Sequence, residues 1–178
     1  MQLFLHCEQE FTAVFLIMEG CNMIQIDIPG IKKIYVEHLV LDYNGTVAED
    51  GKLINGVADI LNRISDNLEV HVITADTFGK SAEELKGVKC TLDIIGKGDQ
   101  QKQKLDFIES LGAEKVISIG NGFNDLLMLE ESALGIAVIQ KEGASAKTVA
   151  AADIVVTSIT DALELVLNPL RIAATLRG

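Results

Sequence analysis

Four short segments carry the groups that phosphoryl transfer would need. In Asp42-Tyr43-Asn44-Gly45-Thr46 a carboxylate stands at the end of an apolar run. A nucleophile at a strand tip can attack phosphorus in line, while the amides of a loop through Gly45 cradle the equatorial oxygens. The same residues also read as an ordinary strand-ending turn. In Thr74-Ala75-Asp76, after another apolar run, the Thr74 hydroxyl can bond a phosphate oxygen, with Ala75 beside it in the same cradle. Thr74 equally suits a helix N-cap. An ammonium from Lys102 or Lys104 would neutralise phosphate charge, although a lone lysine usually faces solvent. Gly120-Asn121-Gly122-Phe123-Asn124-Asp125 completes the set. Its glycines let the backbone approach a ligand, and Asn121 and Asp125 offer hard oxygens to Mg²⁺. By itself it reads as a turn.

Such segments need strands to aim them. Tyr35 to Leu41 reads as a strand ending at Asp42, and Val70 to Thr74 and Val116 to Ile119 read as two more. Thr91 to Ile95, Ile136 to Ile139 and Ile154 to Val156 are further short strands. Between them lie helical patterns: Leu53 to Ile64, Ser81 to Leu85, the Leu105-Ile108-Leu111 face, Leu126 to Leu129, and Thr160 to Leu167, with Pro169 bending or restarting the last. Ile24, Ile26 and Ile28 alternate with polar residues before a Pro29-Gly30 turn. Strands alternating with helices predict an α/β fold, a doubly wound parallel sheet covered on both faces. Ligands of such sheets bind at the carboxyl ends of the strands. Asp42, Thr74 and the Gly120–Asp125 turn all fall there.

Composition narrows the functions. The chain has 178 residues, 48% of them hydrophobic, and 15 Lys+Arg against 26 Asp+Glu give a formal net charge of −11. That supports a packed core and one domain. It argues against nucleic acid and anionic membrane surfaces, both of which select basic chains. Three widely spaced cysteines, Cys7, Cys21 and Cys90, predict buried thiols in a reducing, cytoplasmic compartment rather than a disulfide framework. Phe11 to Met18 is apolar but shorter than the about 20 residues of a membrane span. It also lacks the basic flank of a signal peptide. Residues 1–22 read as an N-terminal extension to a domain over 23–178, with Met18 and Met23 as alternative starts.

Taken together and in this order, the four segments resemble the haloacid dehalogenase (HAD) superfamily of phosphatases and ATPases. The family's motifs are Asp-x-Asp-x-Thr/Val, a Thr/Ser strand tip, a lysine, and Gly-Asp-x-x-x-Asp. Within it the chain is most similar to the phosphorylation domain of P-type ATPases, through Asp42–Thr46, Thr74–Asp76, Gly120–Asp125 and Ala152-Asp153-Ile154-Val155. It looks like the soluble P-type ATPase-like members. Only 31 residues separate Asp42 from Thr74, and 29 separate Thr74 from Lys104, so the resemblance is to a capless member. The 31 are filled by a hairpin around Asp50-Gly51 and one helix.

The resemblance implies Asp42 as nucleophile and Thr74 and Lys104 as phosphoryl-oxygen ligands. It implies Mg²⁺ on Asp42, the Asn44 carbonyl and Asn121, with Asp125 beside or behind. Lys104 is preferred to Lys102, because the family's lysine precedes apolar helix positions that correspond here to Ile108 and Leu111. The implied substrate is a phosphorylated small molecule or a phosphoprotein. Capless members often take a lid from a neighbouring subunit, which makes a homo-oligomer one expected arrangement.

Two residues depart from the family. Asn44 stands where phosphatases have the acid/base Asp, and an amide neither protonates a leaving oxygen nor activates water. Asn121 stands where the family has a metal-binding Asp, so the metal loses one negative ligand. A slow hydrolase working through an aspartyl-phosphate is one reading. A phosphate- or partner-binding module that kept the fold and lost turnover is the other.

Overall fold

The computed structural model describes residues 22–75 and 79–178. Residues 1–21 of the expected extension, with Cys7 and Cys21, and Asp76 of the second motif lie outside the described residues.

Six parallel strands form the central sheet. They are β3 (His38–Asp42), β6 (Glu69–Thr74), β7 (Thr91–Ile94), β8 (Val116–Gly120), β9 (Leu134–Val138) and β10 (Ile154–Val156), in the order β10-β9-β8-β3-β6-β7. From β3 the chain builds outward to β6 and β7. It then crosses back to the other side of β3 for β8, β9 and β10. The direction of winding therefore reverses between β3 and β8, and the splayed connections leave a crevice at their carboxyl ends. Asp42 ends one of these strands and Gly120 ends the other.

Both faces of the sheet are covered, which is why β8 and β9 are buried along their whole length. On one face Leu39, Leu41, Val72, Ile117 and Ile136 pack with α1 (Val57–Ile64) and α6 (Ile159–Leu167). On the other, Val40, Ile73 and Val116 meet Ile108 of α3 (Gln100–Leu111) and Met128 and Leu129 of α4 (Leu126–Glu131). The remaining helices are α2 (Lys80–Glu84), α5 (Ala146–Ala151) and α7 (Pro169–Leu176), the last begun by the proline after α6.

Two hairpins stand apart from this sheet. β1 (Ile24–Ile28) and β2 (Lys32–Val36) pair antiparallel around the Pro29-Gly30 turn, and α7 packs against β1. β4 (Ala48–Glu49) and β5 (Lys52–Leu53) pair around Asp50-Gly51. This small hairpin and α1 are all that lies between β3 and β6, so no large cap stands there.

Two expected elements differ in detail. Tyr35 to Leu41 is not one strand. It divides at Glu37, whose amide donates to the Lys115 carbonyl (2.9 Å) while its carbonyl accepts from the Glu69 amide (3.0 Å). The apolar alternation runs through the break, but the hydrogen-bond partners change from the hairpin to the parallel sheet. Leu53 likewise suits the helical spacing of Leu53 to Ile64, yet it pairs with Ala48 and the helix begins at Val57.

Candidate active site

Asp42 closes β3 and Thr74 closes β6, one step beyond Ile73, the residue in register with Asp42. Both are buried. The chain then turns sharply. The amides of Thr46, Val47 and Ala48 all donate to the Tyr43 carbonyl, at 3.3, 3.0 and 2.9 Å, and Gly45 N–H donates to the Ala48 carbonyl at 2.8 Å. This tight loop needs a left-handed residue, and Gly45 supplies it with φ 76°. A Cβ at Gly45 would also run into the side-chain amide of Asn121. The Asn44 side chain is left exposed at the tip of the loop.

Helix α3 brings the lysine. The Asp99 carboxylate caps it by accepting from the Lys102 amide (3.1 Å). Lys104 then faces inward on the same stripe as Ile108. Its ammonium is fully buried and donates to Asp42 Oδ1 and Asp125 Oδ1, at 2.5 Å each. Lys102 points the other way and pairs in solvent with Asp106 at 2.7 Å.

The loop after β8 supplies the third side. Asp125 Oδ2 accepts from the Asn121 and Gly122 amides at 2.9 and 2.8 Å. Asp125 thus ties its own loop with one oxygen and holds Lys104 with the other. A Cβ at Gly120 would lie 2.6 Å from the Asp125 side chain, so only glycine lets that carboxylate fold back over the strand end. The Asn121 side-chain Nδ2 donates to the Gly143 carbonyl (2.9 Å), which turns its Oδ1 toward Thr46. Thr46 Oγ1 lies 3.1 Å from Asn121 Oδ1 and 3.3 Å from Asp42 Oδ2, bridging the two loops.

Electrostatics follow from this packing. Burial strips water from the Asp42 carboxyl, and the Asp125 charge adds to the effect. Together they outweigh Lys104 and push Asp42 up to about 7. Burial alone would lower Lys104, but the two carboxylates overcome it and hold the ammonium above its ordinary value.

Asp42, Thr74, Lys104, Asn121 and Asp125 therefore converge on the carboxyl ends of β3, β6 and β8, with Gly45 in the loop over them. Ala75 follows Thr74 and is exposed. Sequence reasoning passed over Thr46, although it ends the first motif. It also passed over Gln140, whose amide donates to the Gly45 and Thr46 carbonyls at 2.9 and 2.7 Å while its Oδ-equivalent oxygen, Oε1, accepts from Ile159 N–H at 2.8 Å. No spacing signal marks Gln140, because it acts on backbone atoms almost a hundred residues away. Beside this loop an open cleft of about 510 Å³ is lined by Gly45, Ala48, Glu49, Ile139 and Gln140. It includes neither Asp42 nor Lys104.

Residues 74–163 match the sequence profile of the haloacid dehalogenase-like hydrolases, and the chain belongs to that family. An uncharacterized protein of Methanocaldococcus jannaschii is 49% identical over 84 residues, covering 45% of this chain and 90% of that protein. A second from the same organism is 41% identical over 39 residues, covering 22% and 89%. Among solved structures, the fold is similar to 3-deoxy-D-manno-octulosonate 8-phosphate phosphatase of Moraxella catarrhalis, described in complex with magnesium, phosphate and KDO. The match has TM-score 0.61 and 18% identity over 80% of this chain and 94% of that one. The cobalt-bound phosphatase of Haemophilus influenzae gives TM-score 0.63 and 14% identity over the same shares. At these identities the likeness is one of fold. No helix among the described residues is long and apolar enough to cross a membrane.

Proposed function

We propose that the chain is a Mg²⁺-dependent phosphoryl-transfer hydrolase in which Asp42 is the nucleophile, and that it belongs to the soluble, capless P-type ATPase-like branch. The observation that carries this reading is the buried Lys104 ammonium shared between Asp42 and Asp125. A stability role alone would not call for three ionisable groups beneath a crevice, since burying such groups costs more than apolar packing.

The donor set fits a divalent cation. With Asp42 deprotonated, Asp42 and Asp125 against Lys104 leave one net negative charge, and Asp42 Oδ2 and Asn121 Oδ1 both lie within reach of Thr46 Oγ1. Asp42, the Asn44 carbonyl and Asn121 would hold Mg²⁺, with Asp125 behind, since both its oxygens are engaged. Bound there, the metal would neutralise charge on the phosphoryl oxygens. Thr74 and Lys104 bind further phosphoryl oxygens, and the Gly45 loop and Ala75 complete the cradle. An Asp42 carboxylate oxygen forms the new bond to phosphorus as the bond to the leaving oxygen breaks. Water then cleaves the aspartyl-phosphate. Asn44 has no titratable proton to give or take, so both steps are slow.

The proposed substrate is a phosphorylated small molecule, with a phosphoprotein second. The open crevice also leaves room for a lid from a second copy. Hydrolysis of an aryl phosphate with and without Mg²⁺ tests the reading. Turnover that needs Mg²⁺ and vanishes in Asp42→Asn is expected. A phosphoryl group trapped on any other residue overturns the assignment. A second reading, a phosphate-binding module without turnover, rests on the paired amides Asn44 and Asn121. Mg²⁺-dependent beryllofluoride binding without aryl phosphate turnover would select it.

A further inference from the structure

A second polar cluster lies at the opposite end of the sheet. His38 begins β3, and Glu69 begins β6 directly in register with it. His71 stands two residues on from Glu69, so all three side chains leave the same face. Asp42 ends β3 four residues beyond His38, about 13 Å away along the strand.

The two imidazoles are nearly buried, with side chains 12% and 11% exposed. Among the described residues, His38 Nδ1 and His71 Nε2 have no hydrogen-bond partner. Both lie near one atom: Glu69 Oε2 is 3.3 Å from His38 Nδ1 and 3.9 Å from His71 Nε2. Two buried ring nitrogens without a hydrogen bond are costly. They are also what a metal ion takes up.

The surroundings suit one. His71 Nδ1 lies 3.4 Å from Asp93 Oδ2, the carboxylate–imidazole contact that orients metal-ligating histidines. The His71 ring is held edge-on against Phe107 of α3, centroids 5.5 Å apart. Lys115 is the nearby cation, and its ammonium is paired with Glu37 at 3.0 Å. Two imidazole donors beside the Glu69 and Asp93 carboxylates suit a dication. Glu69 is 62% exposed, so the site opens to solvent on one side.

The geometry points to a second metal site, distinct from the phosphoryl centre, in which His38 Nδ1, His71 Nε2 and Glu69 bind a borderline transition-metal dication, Zn²⁺ foremost, with solvent as fourth ligand and Asp93 orienting His71. Metal–donor distances of about 2.0–2.2 Å put tetrahedral donors about 3.4 Å apart. One donor atom from each residue already lies within 4.8 Å of the others, and side-chain rotation closes the difference. Imidazole donors select Zn²⁺, Ni²⁺ or Cu²⁺ over Mg²⁺. A bound ion would clasp β3 to β6 at the edge where the chain enters the sheet.

Zn²⁺ titration of the full chain by calorimetry, and the electron paramagnetic resonance spectrum of the Cu²⁺ form, test the site. One Zn²⁺ per chain is expected to remain bound in Asp42→Asn, and the Cu²⁺ spectrum should show hyperfine structure from two nitrogens. His38→Gln and His71→Gln should each abolish the two-nitrogen pattern. Asp93→Asn should weaken Zn²⁺ about tenfold or more. Glu69→Gln, at an exposed position that leaves the core untouched, should weaken it as well, which keeps the test sound if a histidine variant fails to fold. A Cu²⁺ spectrum without nitrogen coupling, or Zn²⁺ binding unchanged by Glu69→Gln and Asp93→Asn, overturns the proposal.

Discussion

Asp42 and Lys104 stand 62 positions apart in the chain and 2.5 Å apart in the fold. The contact exists because β3 ends in the crevice that the first turns of α3 overhang. It sets up the charge balance on which the following expectations rest.

Asp42 should make the metal-free protein sensitive to pH. Its carboxyl, raised from 3.8 to about 7 by burial and by Asp125, keeps in the fold a proton that the unfolded chain releases. Its stabilising contribution is therefore whole below about pH 3.8 and is lost as pH rises through about 7. Asp42→Asn mimics the protonated state at every pH. Urea unfolding without divalent metal should find it more stable than wild type by on the order of 1–3 kcal/mol at pH 8, and equal to it near pH 4. A difference independent of pH would contradict the assignment.

Removing the lysine should do the opposite. Lys104→Met leaves two buried carboxylates facing each other, and breaking a buried ion pair costs about 3–5 kcal/mol. The loss should be largest at pH 8 and shrink toward pH 5, where Asp42 can take up a proton. Adding Asp42→Asn to Lys104→Met should recover part of it, because only Asp125 then remains charged. Lys102→Met, at an exposed position, should change stability by less than about 0.5 kcal/mol. Unfolding curves for the three variants decide this.

Asn44→Asp should raise turnover. The side chain is exposed at the loop tip, so the new carboxyl carries no burial penalty and keeps the shape of the amide. General acid–base catalysis is worth about 10²–10⁴-fold. The gain should be larger on alkyl phosphates, whose leaving alkoxide needs a proton, than on aryl phosphates, unless aspartyl-phosphate hydrolysis limits both. Rates at saturating Mg²⁺ that do not move on either substrate would shift weight to Asn121, which Asn121→Asp probes in the same assay.

Gly45→Ala should damage the loop by two separable routes. A side chain at φ 76° costs about 1–2 kcal/mol, and the added methyl would collide with the Asn121 amide. Thermal unfolding should show the sum of both. Combining it with Asn121→Ala should relieve the collision but not the dihedral cost, so the double variant should lose less than the two single losses added. Strict additivity would mean that the two loops do not meet.

The sequence by itself determined the parallel sheet and which polar residues lie at its carboxyl ends. Runs such as VISIG and the alternating helices admit few arrangements besides a parallel sheet covered on both sides, because each run is apolar on both faces. Asp42 and Thr74 could be placed at strand tips, and Asp125 in the turn after one, because local hydrophobic period and glycine turns specify where a strand stops. The choice of Lys104 over Lys102 came from the family resemblance, whose lysine precedes apolar helix positions that Ile108 and Leu111 match here. What only the tertiary structure decided depends on non-local pairing. Glu37 changes sheets with no change in residue pattern, since its partners Lys115 and Glu69 come from distant segments. Gln140 reaches the Gly45 loop through backbone carbonyls, which carry no residue signature. His38, Glu69 and His71 form a cluster only because β3 and β6 pair in one particular register, and a one-residue slip would send the imidazoles to opposite faces of the sheet.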